Sequence, residues 1–251
     1  MEPPVPIEAF RFALQKLIIG WKMAEPKPIS IDSKHVHAVK LVYPWVAQCH
    51  RFGKAFMRLE KDGLAHEGHP IVRSALEYAL MAHWVAITGD SAVVARYAED
   101  QRLLRAMVKD VEGSSRDFAQ STWNLELLRA FVDAGGPARV SEERFNAQVA
   151  SVCESLGMTN TLYAAYRLHC WFTHPTTQAA GVYLEDLGED RFALRAEPVE
   201  GLESGLLAMM AHCVFWSRRV LDDLTTGQPD GEWLDDIGAS IQVLQRLPER
   251  Q

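Results

Sequence analysis

Four ionisable residues interrupt segments that are otherwise apolar: Arg73 and Glu77, four apart in IVRSALEYALMAHWVAIT, and Arg167 and His174, seven apart in YRLHCWFTH. A guanidinium offers a planar fork of donors that fits phosphate or carboxylate. An imidazole titrates near neutrality and can move a proton. Arg167 with His174 therefore suits metal-free acid–base chemistry on a phosphodiester. Seven residues of helix return to nearly the same face after about 10.5 Å of rise, and Tyr163 and Tyr166 lie near that face one turn earlier. The competing reading makes His174 a helix C-terminal cap and Arg167 a surface or paired charge. Arg73 and Glu77 also have two readings. A buried charge is costly unless paired, so they form either a structural ion pair that orients their helix or an anion-binding fork in which Glu77 holds Arg73.

No metal or other cofactor is expected. His66 and His69, His35 and His37, and His169 with Cys170 are near neighbours. None has a second ligand pair at zinc-like spacing, and neither HExxH nor CxxC occurs. The chain also lacks GxGxxG, a P-loop and GxSxG, which leaves nucleotide-binding α/β folds and serine hydrolases without support.

The segments Arg73-Ser74-Ala75-Leu76-Glu77 and Tyr166-Arg167-Leu168-His169-Cys170-Trp171-Phe172-Thr173-His174 resemble the signature of an uncharacterised prokaryotic all-helical family. That signature is R-S-x-x-E on one apolar helix and Y-R-x-x-S-x-x-x-H on a later one. Cys170 stands where the family has Ser, so a hydroxyl role at this position is not carried over. The likeness covers roughly residues 40–225. The second segment is also similar to the R-x(4–6)-H motif of the HEPN superfamily, with Leu168 where a polar residue often follows the Arg. That resemblance implies metal-independent RNA cleavage, with Arg167 holding the scissile phosphate, His174 moving the proton, and two motifs facing each other across a homodimer.

The elements that must position these residues read as helices. A length of 251 residues with 48% hydrophobic and 24% charged residues is ordinary for a globular chain, and no repeat or linker divides it, so one domain over 1–251 is expected. The periodicity predicts an all-α bundle of about eight helices. They run over 8–23, from Ser30 or Asp32 with a break at Pro44 and then on to Asp62-Gly63, 70–88, 91–112, 116–134, 141–156, 159–174, 202–224 and 231–246, with a small hairpin near 182–195. The helix at 70–88 is apolar nearly all round and should be central. Thr159 or Asn160 should cap the helix that carries Arg167.

Composition narrows the partners. A formal charge of -7 argues against a broad nucleic-acid footprint while leaving room for a local basic pocket. The apolar runs at 71–87 and 205–216 are too short or too interrupted to span a membrane. Cys49, Cys153, Cys170 and Cys213 are widely spaced in helical patterns and read as reduced thiols, which with the absence of a leader pattern points to the cytoplasm. Asp222, Asp223, Asp235 and Asp236 read as a solvated acidic face. The reading these features favour is a helical bundle that binds a ligand or partner through Arg73, Glu77, Arg167 and His174, with Tyr163, Tyr166 and Cys170 in support. RNA or another phosphate-bearing ligand is the expected class. The alternative is a HEPN-like ribonuclease, a toxin or defence component, that uses Arg167 and His174.

Overall fold

A computed structural model describes residues 4–23, 30–31, 33–113, 125–134, 148–188, 191–199 and 203–247. Among these the architecture is helical with one two-stranded antiparallel sheet, as the periodicity predicts. The elements are α1 (Ile7–Met23), α2 (Val36–Lys61), α3 (His69–Thr88), α4 (Asp90–Gly113), α5 (Leu125–Ala134) and α6 (Val149–Ser155). They continue with α7 (Ala164–Thr173), α8 (Thr177–Gly181), β1 (Leu184–Asp186), β2 (Phe192–Leu194), α9 (Glu203–Leu224) and α10 (Gly231–Ser240). The expected starts of the helices at 116 and 141, with Gly135-Gly136-Pro137 between them, lie outside the described residues.

The helix that is apolar all round is the central one. α3 packs against α2, α9 and α7, and Val72, Ala75, Leu76, Ala79 and Leu80 are fully buried. α9 covers a second side of the core with Leu207, Met210, Val214 and Phe215, and meets Leu14 and Leu17 of α1. One continuous apolar cluster reaches from Ala13 to Leu247. No described helix is long and apolar enough to cross a membrane.

Pro44 does not break α2, which runs unbroken through it. Proline removes one helical hydrogen bond and crowds the preceding turn, but Tyr43 and Pro44 face solvent, where water can satisfy the freed carbonyl. The opposite face buries Val39, Val42, Val46, Cys49 and Phe56, and that burial outweighs the local cost. Between α2 and α3 the chain turns through Gly68 inside a short 3₁₀ segment. A Cβ at Gly68 would lie 2.6 Å from the Phe56 ring, so only glycine lets α2 and α3 approach this closely.

α7 starts differently from the expectation. Thr159 and Asn160 do not cap it; they belong to a π-helical turn, Thr159–Tyr163. Three amides converge on the Met158 carbonyl: Leu162 at 2.9 Å, Thr161 at 3.2 Å and Tyr163 at 3.4 Å. The helix then ends one residue before His174, whose backbone is extended (φ −105°, ψ 157°), because Pro175 disfavours the helical conformation in the residue before it.

The hairpin pairs Leu184 with Leu194 and Asp186 with Phe192. The acidic face at the C-terminal end is only partly solvated. Asp222 is 3% exposed; its Oδ1 accepts a hydrogen bond from Asp230 N at 2.8 Å, and burial pushes its carboxyl above the ordinary range. Asp223 pairs with Arg246 at 2.6 Å, and Asp235 pairs with the buried Arg219. Asp236 is exposed, as expected. The acidic residues alone could not show that α10 folds back over this end of α9.

Candidate functional site

α3 and α7 lie side by side, and their interface carries most of the polar residues singled out by the sequence. Arg73 is half-buried, and its Nη2 donates to the Tyr166 hydroxyl at 2.9 Å, with the guanidinium 5.1 Å from the centre of the Tyr166 ring. The sulfur of Cys170 also lies within electrostatic and hydrogen-bonding reach of Arg73. Tyr163 stacks near Tyr166, centroids 6.2 Å apart and planes at 14°. Burial pushes the Tyr166 phenol above its ordinary range; the Arg73 hydrogen bond opposes that shift and the charge of Glu77 adds to it.

The ion pair between Arg73 and Glu77 is not formed. Among the described residues no hydrogen bond or salt bridge joins them, and Arg73 is engaged across the interface instead. The physical reason lies in helix geometry. Side chains lean toward the helix N-terminus, so an Arg leans away from a Glu four residues later, and this order is the weaker one for pairing. Glu77 is half-buried and acts on Tyr166 by charge alone.

Arg167 sits elsewhere on α7, and His174 lies just past its end. Both are exposed, as are Leu168 (37%) and Trp171 (44%). At about 100° per residue, Arg167 lies roughly a quarter-turn around the helix from Tyr166. His174 follows the last helical residue, and its backbone N–H donates to the Cys170 carbonyl at 3.1 Å. Trp171 falls between Arg167 and His174 along the same stripe. The structure thus brings Arg73, Tyr166 and Cys170 together, places Glu77 and Tyr163 beside them, and sets Arg167 and His174 on the adjoining wet face. No hydrogen bond or ion pair links the two groups among the described residues.

A pair of histidines that the sequence offered only as separate neighbours completes the interface. His69 opens α3 and His169 lies on α7; they are 1% and 4% exposed, and their Nδ1 atoms are 3.0 Å apart. Phe172 stacks on His69 at 4.4 Å, and His66 meets Phe172 edge-on at 5.4 Å. Burial lowers both buried rings to about 4, so at neutral pH one neutral ring donates to the other. Nothing in a single sequence connects positions 100 residues apart; the one available signal was that each sits on the apolar side of its helix. No group of three or more His, Cys, Asp or Glu among the described residues could hold a metal ion.

Residues 39–192, more than half of the chain, match the family of unknown function DUF5677. The chain belongs to this family. The DUF5677 segment runs from within α2 to the first residue of β2 and so contains the whole α3–α7 interface, the π-turn and the first strand of the hairpin. The four residues of the sequence reading all fall inside it, whereas α9 and α10 lie beyond it. No curated protein and no solved structure matches the chain.

Proposed function

We propose that the exposed stripe of α7 binds a single-stranded RNA segment. The observation that carries this reading is the exposure of Arg167 and Trp171 on one side of α7, with His174 exposed just past its end, while the other side of the helix packs against α3. Arg167 offers a charge-assisted fork to one phosphate. Trp171 offers a ring on which a base can stack, worth about 1–3 kcal/mol per base. The buried bonds His69–His169 and Arg73–Tyr166 hold the helix so that the stripe is presented ready-made. With a net charge of -7 the binding is local, so one or two phosphate contacts give a salt slope of about 0.7–1.4 for a single strand.

The measurement is fluorescence anisotropy of a labelled twelve-nucleotide RNA across a salt series, with quenching of tryptophan emission read in parallel. Arg167→Ala and Trp171→Ala should each weaken binding about tenfold or more without lowering the melting temperature. Equal affinity in wild type and both variants would remove the proposal.

A second reading is that the same stripe cleaves what it binds, and it is favoured by the exposed His174 ring, which makes no hydrogen bond among the described residues. It also fits the resemblance to the HEPN superfamily, in which Arg167 would hold the phosphate and His174 would transfer the proton. Cleavage of a mixed RNA pool in the presence of EDTA by wild type, but not by folded His174→Ala, is the expected result. Binding without cleavage by either protein leaves the chain a binding module.

A further inference from the structure

The net charge of -7 is unevenly spread, and α2 runs against it. Lys40, Arg51, Lys54, Arg58 and Lys61 lie on this helix, and its one carboxylate, Glu60, is turned to Arg11 of α1 at 2.7 Å. The last four cations follow one another at three, four and three residues. They therefore fall within about 80° of one face and along about 15 Å of axis. Between 51 and 61 they are the exposed residues of the helix; every other position there is buried or half-buried. Among the described residues none of the four side chains has an ion-pair or hydrogen-bond partner.

Helix stability does not account for this row. Like charges three and four apart on a helix repel. The helix dipole favours cations in the last turn, which serves Arg58 and Lys61, but Arg51 and Lys54 lie about two turns or more before the end. The opposite face buries Val46, Cys49, Gly53 and Phe56, so the core holds the helix straight while the row stays wet. A fixed row of unpaired cations is the footprint of a polyanion.

The kind of polyanion follows from what surrounds the row. The apolar face of α2 is spent on the core, so the helix has none to lay into a bilayer interface, as interfacial helices do. A single nucleic-acid strand draws much of its affinity from stacking on aromatic rings, and no exposed residue of this stretch is aromatic. A duplex is stiff, has the higher charge density and needs charge alone. The row also ends where α7 ends. Just past Lys61, the His66 ring meets Phe172 edge-on at 5.4 Å, and Phe172 is the neighbour of Trp171 in the chain. We infer that the RNA taken by α7 is a single-stranded end carried on a duplex, whose phosphate backbone lies along Arg51, Lys54, Arg58 and Lys61. The single-stranded part of this inference rests on the reading of α7 given above; the duplex part stands on α2.

The test is fluorescence anisotropy of the full chain with three labelled RNAs: the single strand, a blunt duplex of the same length, and that duplex with a single-stranded tail. Wild type should bind the tailed duplex about tenfold or more tighter than the single strand, with a salt slope on the blunt duplex of about 3–4 for four phosphates. The variant Arg51→Gln, Lys54→Gln, Arg58→Gln, Lys61→Gln changes exposed side chains only. It should keep its melting temperature, lose about tenfold or more on both duplexes, and bind the single strand as wild type does. Three results would overturn the inference: the fourfold variant binding the duplexes as wild type does, an equal loss on the single strand and the duplexes, or wild type binding phosphatidylserine vesicles through these residues while ignoring the blunt duplex. The reading of α7 fails separately, when Arg167→Ala and Trp171→Ala leave single-strand binding unchanged, because the paired stem of the blunt duplex offers Trp171 no unpaired base.

Discussion

Tyr166→Phe removes one hydroxyl from the α3–α7 interface and leaves the ring in place. What is lost is the 2.9 Å hydrogen bond from Arg73. A bond to a charged group contributes about 1.5–3 kcal/mol when buried. Both partners here are only half-buried, so water recovers part of the donor, and the expected cost is about 1 kcal/mol. For a chain of this length that lowers the melting temperature by roughly 2–4 °C. Glu77→Gln removes a charge that no partner in the interface uses, so it should cost less than about 0.5 kcal/mol. Urea unfolding of Arg73→Met, Tyr166→Phe, the double variant and Glu77→Gln completes the comparison. Coupling between Arg73 and Tyr166 should be about 1 kcal/mol, with none between Arg73 and Glu77. If Glu77→Gln proves as costly as Tyr166→Phe and couples to Arg73, the helix-internal ion pair exists after all and the account of the interface is wrong.

Three further outcomes follow from the packing. The buried histidines have folded values near 4, below the ordinary 6.5. The unfolded chain therefore binds more protons between about pH 6.5 and 4, and stability should fall as pH falls through that window. Melting curves at pH 7 and pH 5 test this, and the double variant His69→Phe with His169→Leu should reduce the difference, leaving the share of the buried His50 and His212; an unchanged slope would dissociate the pair from the effect. Pro44→Ala restores an amide on the solvent side of α2 and should raise stability by about 1–3 kcal/mol, which a lower melting temperature would contradict. Gly68→Ala drives a methyl into the Phe56 ring, whose edge lies 2.6 Å from the new atom, and should cost about 1–3 kcal/mol by overpacking; a neutral result would show that α2 and α3 can part freely at that point.

The helical class and the central position of α3 were legible because an all-round apolar helix has no face to give to water. The edges of elements were less so. Pro44 was expected to interrupt a helix that it only bends the rules of, since sequence shows the proline but not that its lost partner faces solvent. Arg167 and His174 were expected on a single helix, and His174 in fact falls one residue past the end. The Arg73 partner was misassigned because spacing along one helix was visible and the neighbouring helix was not. For the same reason His69 and His169 stayed unpaired in the sequence, and Asp222 looked wet until α10 closed over it.

The π-turn at Thr159–Tyr163 acts as a rotary setting for α7. An α-helical turn there would use one residue fewer, and each residue of α7 would swing by about 100° relative to α6. In that phase His169 and Tyr166 would leave their partners on α3, and the stripe that carries Arg167 and Trp171 would change its outlook. Chain length in these five positions, rather than the identity of any one side chain, therefore decides which face of α7 is wet. A single-residue insertion or deletion here amounts to a change of address for every group on the helix, while substitutions at the exposed Thr159 and Asn160 leave that address unaltered.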